Sequence, residues 1–350
     1  MKFKNTITII VAWVAFSNPV YAQTPDRFRM MFYNVENLFD TEDDPQTTDD
    51  EFTPNGARHW NEYRLNKKLG NIYKVIAAIG ENIPPDLIMF CEVENRAVLE
   101  VLIARTPLRN IGYQIIHRDS RDPRGIDVAL LYHPERYWPI DEQFIVIEYQ
   151  SSPGRFSRDI LYSKGLLPNK DTLHVFVNHW PSKFGGAMAT RSMRNEVAKA
   201  LRMKVDSIMQ MNPNANVVIV GDLNTTPEDE PVKQILGAAL FPDTTKATLV
   251  NLTSAISPKK YKGTIKFQGV WECIDQWIVS KPLVNAQKLK TKTSTENVYI
   301  GEFDFLLIPD ETYSGKKLFR TYVGFSYQGG FADHLPTYLD LFLHYDGEEQ

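Results

Sequence analysis

The sequence is poor in cysteine and lacks the common nucleotide-binding and nucleophile motifs. Only two cysteines, Cys91 and Cys273, occur among 350 residues, both in predicted buried strands. We expect two buried free thiols, with a disulfide as the open alternative, because exported disulfide proteins are usually smaller and richer in cysteine. The patterns GxxxxGK[ST], GxGxxG and GxSxG are absent, so phosphate-loop, dinucleotide-binding and serine-hydrolase functions lack support. No HExxH pair or cysteine cluster indicates a zinc site.

The chain also has no basic tail, no internal repeat and no low-complexity linker. Its composition, 43% hydrophobic and 23% charged, is typical of a globular protein with a large core. The net charge is −4. A mildly acidic protein does not attract nucleic acid as a whole, so binding of a polyanion would need a local cationic patch or a bound metal.

Residues 1–22 have the composition of an export signal. Two lysines precede the apolar stretch Ile7–Phe16, and small residues stand at positions −3 and −1 of a cleavage site after Ala22. A buried helix or an anchor is the alternative, but this apolar core is too short to span a bilayer comfortably. We predict cleavage near Ala22 and export to the periplasm or the extracellular space. The mature chain, a single domain at 23–350, then has a net charge of −6, because two lysines and no acid are lost.

Apolar periodicity predicts many strands and few long helices. Helical spacing is found at 61–79, after residue 93 through 108, and at 193–208. Strands are predicted at 28–39, 86–93, 114–118, 127–132, several times within 144–180, at 216–222, around 266–279 and at 337–344. The stretch 240–262 has the weakest pattern and predicts an insertion or loop. Helices are too few for a purely parallel α/β fold, so we expect an α/β sandwich of two stacked sheets with helices outside.

The most informative segment is 216–224, an apolar strand that ends in Gly-Asp-Leu-Asn. Its four consecutive β-branched residues are typical of a strand buried on both faces. A period of two places Asp222 and Asn224 on the same face. A carboxylate beside a carboxamide could activate a water molecule and hold an anionic oxygen, although such pairs are also common in turns and caps.

Five other segments also place polar residues in or at the ends of predicted strands. They are Asn34 with Glu36, Glu92, His179, Asp275, and Asp333 with His334. Each has a structural alternative, such as a helix cap, a packed histidine or a turn. Asp275 is the hardest to explain structurally, because a buried carboxylate without a partner costs several kcal/mol. The residue types suit Mg²⁺ ligation by glutamates, an aspartate–histidine pair and histidines that donate to a phosphate.

In their order along the chain, these segments resemble the signature of the endonuclease/exonuclease/phosphatase superfamily. This Mg²⁺-dependent group includes DNase-I-like nucleases, exonuclease-III-like repair enzymes, neutral sphingomyelinases and inositol-polyphosphate 5-phosphatases. The matching runs are Asn34-Val35-Glu36-Asn37, Glu92, Asn178-His179-Trp180-Pro181-Ser182, Gly221-Asp222-Leu223-Asn224, Ile274-Asp275 and Asp333-His334-Leu335-Pro336. The resemblance covers about residues 28–344. It implies a DNase-I-like four-layer sandwich, with two packed mixed β-sheets flanked by helices, and a phosphoester hydrolase that uses Mg²⁺ or, as a substitute, Mn²⁺.

The resemblance also implies a role for each residue of the signature. Glu92 is assigned to metal ligation, with Glu36 and Asp333 as further metal contacts. Asp222 directs the attacking water and is supported by Asn34, while His179 and Asn224 hold the phosphate. Asp275 pairs with His334, which is either a general base or a transition-state stabiliser. Arg124 and Lys183, each within four residues of a motif strand, are the preferred substrate-binding cations. For these two, and for Arg158, Arg191 and Arg194, a solvated surface charge is an equal alternative.

Three functions remain open on the sequence. The first is an exported metal-dependent phosphodiesterase, a nuclease of low sequence specificity that acts by in-line attack of water. The second is a phosphoesterase for lipids or inositol phosphates, which lacks support because no exposed apolar hairpin or inositol-phosphatase motif is recognisable. The third, an inactive binding protein, is disfavoured by the complete set of acids and histidines. We therefore predict a monomeric nuclease with a nucleic-acid phosphodiester as its partner and no stable membrane insertion.

Overall fold

The computed structural model describes residues 26–245, 247–256, 262–284 and 290–345. The predicted signal peptide at 1–22 lies outside these ranges, as do both predicted domain ends, so export and the domain boundaries stay predictions. Within the described ranges, no helix is long and apolar enough to cross a membrane.

Twenty strands and four α-helices are formed by the described residues. The strands are β1 Asp26–Leu38, β2 Leu87–Val93, β3 Gln114–His117, β4 Asp127–Tyr132, β5 Trp138–Ile145, β6 Ile160–Leu166, β7 Thr172–His179, β8 Asn216–Asp222, β9 Ala238–Leu240, β10 Leu249–Asn251, β11 Ile265–Phe267, β12 Val270–Glu272, β13 Asp275–Ser280, β14 Thr291–Lys292, β15 Val298–Ile300, β16 Leu307–Pro309, β17 Lys316–Leu318, β18 Tyr322–Val323, β19 Ser326–Tyr327 and β20 Thr337–Leu343. The helices are α1 Glu62–Gly80, α2 Arg96–Arg105, α3 Arg191–Met211 and α4 Lys281–Val284.

Two seven-stranded sheets contain most of these strands. The first has the order β14-β20-β1-β2-β4-β3, and β15 also pairs with β20. The second has the order β5-β6-β7-β8-β13-β10-β9. Both sheets are mixed: β1 is parallel to β2 and β7 is parallel to β8, whereas β1–β20 and β8–β13 are antiparallel.

Alternating apolar residues of the central strands build four layers. In β1, Met31 and Tyr33 pack in one cluster with the apolar faces of α1 and α2, whereas Met30 and Phe32 pack in a second cluster with residues of the other sheet. Residues of β8 alternate in the same way between this central cluster and a third one that includes α3. Helices therefore cover the outer face of each sheet, and the predicted α/β sandwich is confirmed.

The structure corrects two details of the sequence analysis. The stretch 240–262 is not only a loop, because it contains β10, which pairs with β9 and β13. A three-residue strand is too short to give a recognisable pattern. Cys91 and Cys273 are both free, as predicted. Cys273, however, lies between β12 and β13 and is only partly buried, so its predicted place in a buried strand is wrong.

Candidate active site

The strand ends that carry the predicted site residues meet at one edge of the two sheets. In the first sheet, the parallel pair β1–β2 places Asn34 beside the residue that precedes Glu92. In the second sheet, the parallel pair β7–β8 places His179 beside Asp222. The antiparallel strand β13 places Asp275 opposite Asp222 on its other side. The topology thus gathers side chains from distant segments, as the sequence analysis expected.

Asp222 lies at the centre of this group and is buried. Its Oδ2 accepts a hydrogen bond from Asn34 Nδ2 at 3.2 Å, which joins the two sheets, and its Oδ1 accepts one from the backbone N–H of Asn224 at 2.9 Å. The Nε2 atom of His334 lies 3.7 Å from Oδ2. Burial raises the pKa of Asp222 above its usual value, although the charge of His334 opposes this effect. A carboxyl group shifted in this direction is suited to accept a proton near neutral pH.

The backbone is strained where the strands end. Gly221 has a φ of 152°, and a Cβ atom there would lie 2.1 Å from the carbonyl oxygen of Asn178, so only glycine fits. Glu36, Glu92 and Asn224 are non-glycine residues in the left-handed region, with φ values of 51°, 61° and 50°. Such conformations cost about 1–3 kcal/mol each and cluster at functional sites.

His334 and Asp275 form a buried pair. His334 Nδ1 lies 2.8 Å from Asp275 Oδ2, and the opposite ring nitrogen faces Asp222. Thr264 holds the local backbone, because its hydroxyl accepts from the Asp275 N–H and its carbonyl accepts from the Leu335 N–H. Burial lowers the pKa of His334, but the neighbouring carboxylates outweigh it and raise the pKa well above its ordinary value. This shift favours the protonated form of the ring.

His179 is the second buried histidine of the group. Its Nε2 lies 3.8 Å from both Glu92 Oε1 and Asp222 Oδ2, whereas its Nδ1 has no hydrogen-bond partner in the described chain. Burial, together with the charges of Arg158 and Arg124, holds the pKa of His179 well below its ordinary value. In the tautomer that carries its proton on Nε2, the neutral ring would donate toward the space between these two carboxylates.

Glu92 is the carboxylate best suited to hold a divalent cation, and the Asn34 amide joins it to Asp222. Glu92 Oε2 accepts from the Asn37 N–H at 3.0 Å, and Oε1 accepts at 3.3 Å from the same Asn34 amide that binds Asp222. Within the described part of the chain, neither carboxylate forms an ion pair with a lysine or arginine. The Glu92 side chain is 14% exposed and so is open to solvent. Carboxylate oxygens are the ligands that Mg²⁺ and Mn²⁺ prefer. Asp222, Asp275 and His334 also place one nitrogen or oxygen atom each within 4.8 Å of one another, but His334 Nδ1 is engaged by Asp275.

Glu36 and Asp333 are joined by Arg320, which the sequence analysis missed. Arg320 Nε donates to Glu36 Oε1 at 2.9 Å, and its Nη2 lies 2.9 Å from Asp333 Oδ2. The other oxygen of Glu36 accepts from the Thr321 N–H at 2.7 Å. Both oxygens of Glu36 therefore accept from donors, and its carboxylate supports Arg320. The metal contact expected of Glu36 stays a prediction. Burial and Asp333 raise the pKa of Glu36, opposed by Lys68 and Arg320.

The two predicted substrate-binding cations lie beside different segments of the chain. Arg124 is exposed, and its Nη2 donates to Asn37 Oδ1 at 3.1 Å, which places it next to the Glu92 turn. Lys183 lies 3.3 Å from Glu272 Oε2 and lines a cleft of about 370 Å³.

The three other arginines considered in the sequence analysis have different surroundings. Arg158 is buried and paired with Asp122, whereas Arg194 is buried and donates to backbone carbonyls. Arg191 lines the same cleft as Lys183 and is paired with Glu230. Of the three, only Arg191 is exposed at the rim.

A second cleft, of about 380 Å³, is lined by Arg320 and by residues of several hairpins. Hairpin β11–β12 exposes Phe267 and Val270, and hairpin β18–β19 exposes Val323 and Phe325, each by 58–67%. These exposed apolar residues correct the expectation that no such hairpin exists. The hairpins are too short, and too rich in turn residues, to be recognised from alternation of apolar residues.

The model of the endonuclease/exonuclease/phosphatase family matches residues 29–342 of this sequence. The chain belongs to the endonuclease/exonuclease/phosphatase family. Members of this family are metal-dependent phosphoester hydrolases, and the predicted family and enzyme class are therefore confirmed. A search of curated proteins gave no match.

Solved structures with the same fold cover most of the chain. TDP2 from Caenorhabditis elegans is 18% identical, covers 91% of this chain and 75% of its own, and has a TM-score of 0.55. The human Nocturnin catalytic domain is 14% identical, with coverages of 91% and 94% and a TM-score of 0.52. A family protein from Bacteroides thetaiotaomicron is 14% identical, with coverages of 91% and 98% and a TM-score of 0.50. At these identities the likeness shows the fold alone.

Proposed function

We propose that this protein is an exported, monomeric phosphodiesterase that hydrolyses nucleic acid with Mg²⁺ as its metal. One observation carries the proposal: the Asn34 amide joins Glu92 of one sheet to Asp222 of the other, while the Asp275-held ring of His334 faces Asp222 at 3.7 Å. This arrangement puts a carboxylate, a cation and a donor set for a divalent ion around one space. Phosphoryl transfer depends mainly on such positioning and charge neutralisation.

In this proposal the protein side chains divide the work of hydrolysis. Asp222 accepts the proton of the attacking water, consistent with its raised pKa. His334, which is protonated, stabilises the negative charge that develops on the phosphate. His179 donates from its neutral ring. Asn224 donates one amide N–H to the Trp180 carbonyl at 3.0 Å and has its second N–H available for the phosphate.

Glu92 would hold the divalent ion, with Asp333 contributing from the side of Arg320. When bound, this ion neutralises charge on a phosphate oxygen. Arg320 holds Asp333 and Glu36 in place. Asp275 acts through His334, because its carboxylate fixes the orientation of the ring.

Nucleic acid is the favoured substrate because solved structures with the same fold contain a nucleic-acid product or an anion. Danio rerio TDP2, which is 13% identical and has a TM-score of 0.54, has been solved with a single-strand DNA product, and the human Nocturnin domain holds a sulfate anion. The exposed apolar hairpins favour a second candidate, a phosphodiester with an apolar part such as a lipid. Phe267 and Val323 line the same cleft as Arg320, so an apolar group there would lie beside the phosphate site.

The test is a comparison of substrates on the purified mature protein, residues 23–350. Plasmid DNA, RNA, sphingomyelin vesicles and inositol phosphates are offered with Mg²⁺, with Mn²⁺ and with EDTA. We expect metal-dependent cleavage of nucleic acid, lost in Asp222→Asn and kept in Asp206→Asn, a matched control on the exposed face of α3. Lipid hydrolysis without nuclease activity would replace the first candidate by the second. Activity that survives Asp222→Asn would refute the site.

Export is tested separately. The protein is expressed in full length in a bacterial host, and the secreted or periplasmic fraction is purified. N-terminal sequencing should then read from Gln23. Retention of residues 1–22 on a cytoplasmic product would contradict export.

A further inference from the structure

A second group of metal-type ligands lies outside the proposed active site, at the turn between β3 and β4. His117 ends β3, Asp127 begins β4, and Asp119 lies on the connecting segment. The three residues place one nitrogen and two carboxylate oxygens within 4.8 Å of one another. The distance from His117 Nδ1 to Asp119 Oδ1 is 3.7 Å, which is too long for a hydrogen bond but suitable for two ligands of one ion.

The His117 ring is buried without compensation. Its side chain is only 1% exposed, and Nε2 has no hydrogen-bond partner among the described residues. Arg96, whose charge acts on the ring, is itself engaged by Glu100 and by the carbonyl of Ile115. A polar ring that loses its hydration on burial without gaining a hydrogen bond destabilises the fold, unless a ligand binds to the ring.

Asp127 is a buried carboxyl group with few partners. It is 3% exposed, and its Oδ1 accepts a hydrogen bond from the Ser120 N–H at 3.1 Å. In the described part of the chain it has no ion pair, and the nearby charges of Asp119 and Asp122 are of the same sign. The buried carboxyl group of Asp127 therefore has no lysine or arginine partner in the described part of the chain, although burial of a carboxylate normally requires one.

We propose that His117, Asp119 and Asp127 bind a divalent cation of the zinc class. One imidazole nitrogen and two carboxylates suit such an ion, and three protein ligands leave a position for water. Mg²⁺ is disfavoured because it prefers oxygen ligands alone. This site stands apart from the proposed function and does not depend on it.

The site would fix the segment that carries Arg124. That segment runs between the ligands, from Asp119 to Asp127, and Arg124 reaches from it to Asn37. The Asn37 N–H in turn donates to Glu92. An ion bound at this turn would therefore fix the position of Arg124 and, through Asn37, that of Glu92, without contacting the substrate.

The test is calorimetric titration of the mature chain with Zn²⁺ in the presence of excess Mg²⁺, which occupies oxygen-only sites. Co²⁺ serves as a second probe, because its visible absorption reports the ligand set. We expect one Zn²⁺ per chain, no binding at this site in His117→Ala and at least about tenfold weaker binding in Asp119→Asn. Asp119 is 76% exposed, so its replacement keeps the fold even if that of His117 does not.

The matched control is His59→Ala, because His59 is an exposed histidine outside the group. It should bind Zn²⁺ like the unchanged protein. Circular dichroism checks the fold of each variant. The proposal is refuted if no Zn²⁺ binds in excess Mg²⁺, or if His117→Ala and Asp119→Asn bind Zn²⁺ as tightly as the unchanged protein.

Discussion

Arg320 offers the sharpest test of the charges beside the proposed metal site. It bridges Glu36 and Asp333 with nitrogen–oxygen distances of 2.9 Å each. Replacement by methionine keeps most of the apolar stem but removes both ion pairs. Glu36, whose side chain is 6% exposed, then retains the Thr321 N–H and the more distant charge of Lys68.

The burial of the two partners sets the size of the effect. Removing one partner of a fully buried pair costs about 3–5 kcal/mol, whereas an exposed pair contributes about 0–1 kcal/mol. The Arg320 side chain is 44% exposed and that of Glu36 is 6% exposed. We therefore expect Arg320→Met to lower the free energy of unfolding by about 2 kcal/mol. In a double-mutant cycle with Glu36→Gln, the coupling energy should be about 1–2 kcal/mol.

Urea unfolding followed by circular dichroism gives the four free energies of the cycle. Lys316→Met is the matched control, because Lys316 pairs with Asp304 at a similar distance, 2.7 Å, but the Asp304 side chain is 94% exposed. This control should leave the free energy of unfolding unchanged. A coupling energy below about 0.3 kcal/mol would refute the argument that burial makes the Arg320–Glu36 pair stabilising. An equal loss of unfolding free energy in the control would refute it too.

Four further predictions address the site and the fold. Asp275→Asn should keep the fold and lower kcat by about 10²–10⁴-fold, because the ring of His334 loses its charged partner; an unchanged kcat would exclude this positioning role. Chelation with EDTA should abolish hydrolysis, and added Mg²⁺ or Mn²⁺ should restore it, as measured by initial rates. Burial, together with nearby lysines, lowers the pKa of His174 to about 4, so the folded state resists its protonation. As the pH falls from 6.5 to 4, the free energy of unfolding should therefore decrease on the order of 2 kcal/mol more in the unchanged protein than in His174→Gln. Parallel pH curves for the two proteins would contradict this. Glu92→Gly and Glu92→Ala should both be inactive, but the glycine variant should be more stable by about 1 kcal/mol in urea unfolding, because φ at this residue is 61°.

The parts of the site that follow from local pattern were predictable from the sequence. The strand that ends at Asp222 has four β-branched residues and a glycine, and its period of two places Asn224 on the same face. The observed pairing of Asp222 with His179 and Asp275 then follows from the order of strands in the sheet. Apolar periodicity is a strong signal for long buried elements, so the four layers could also be expected.

Contacts between distant irregular segments could not be predicted in this way. Arg320 lies 284 residues from Glu36 and outside every strand and helix, so nothing local distinguishes it from other surface arginines. The same holds for Lys68, which occupies a helix but is fully buried against Thr321 and the carbonyl of Phe331. The proximity of Arg320 and Lys68 to Glu36 is apparent only in the folded structure, where the loop that ends at Asp333 lies against β1.

The strained strand ends hold the functional side chains of the proposed site in place. Each of Glu36, Glu92 and Asn224 has a left-handed backbone, and each is held by its own hydrogen bonds. The Glu92 carboxylate accepts from the Asn37 N–H, and the Asn224 N–H donates to Asp222. The contacts that stabilise these turns are therefore the same contacts that aim the functional side chains. A glycine at position 92 would relieve the strain and lose the carboxylate together, so the comparison with alanine separates backbone strain from the loss of charge.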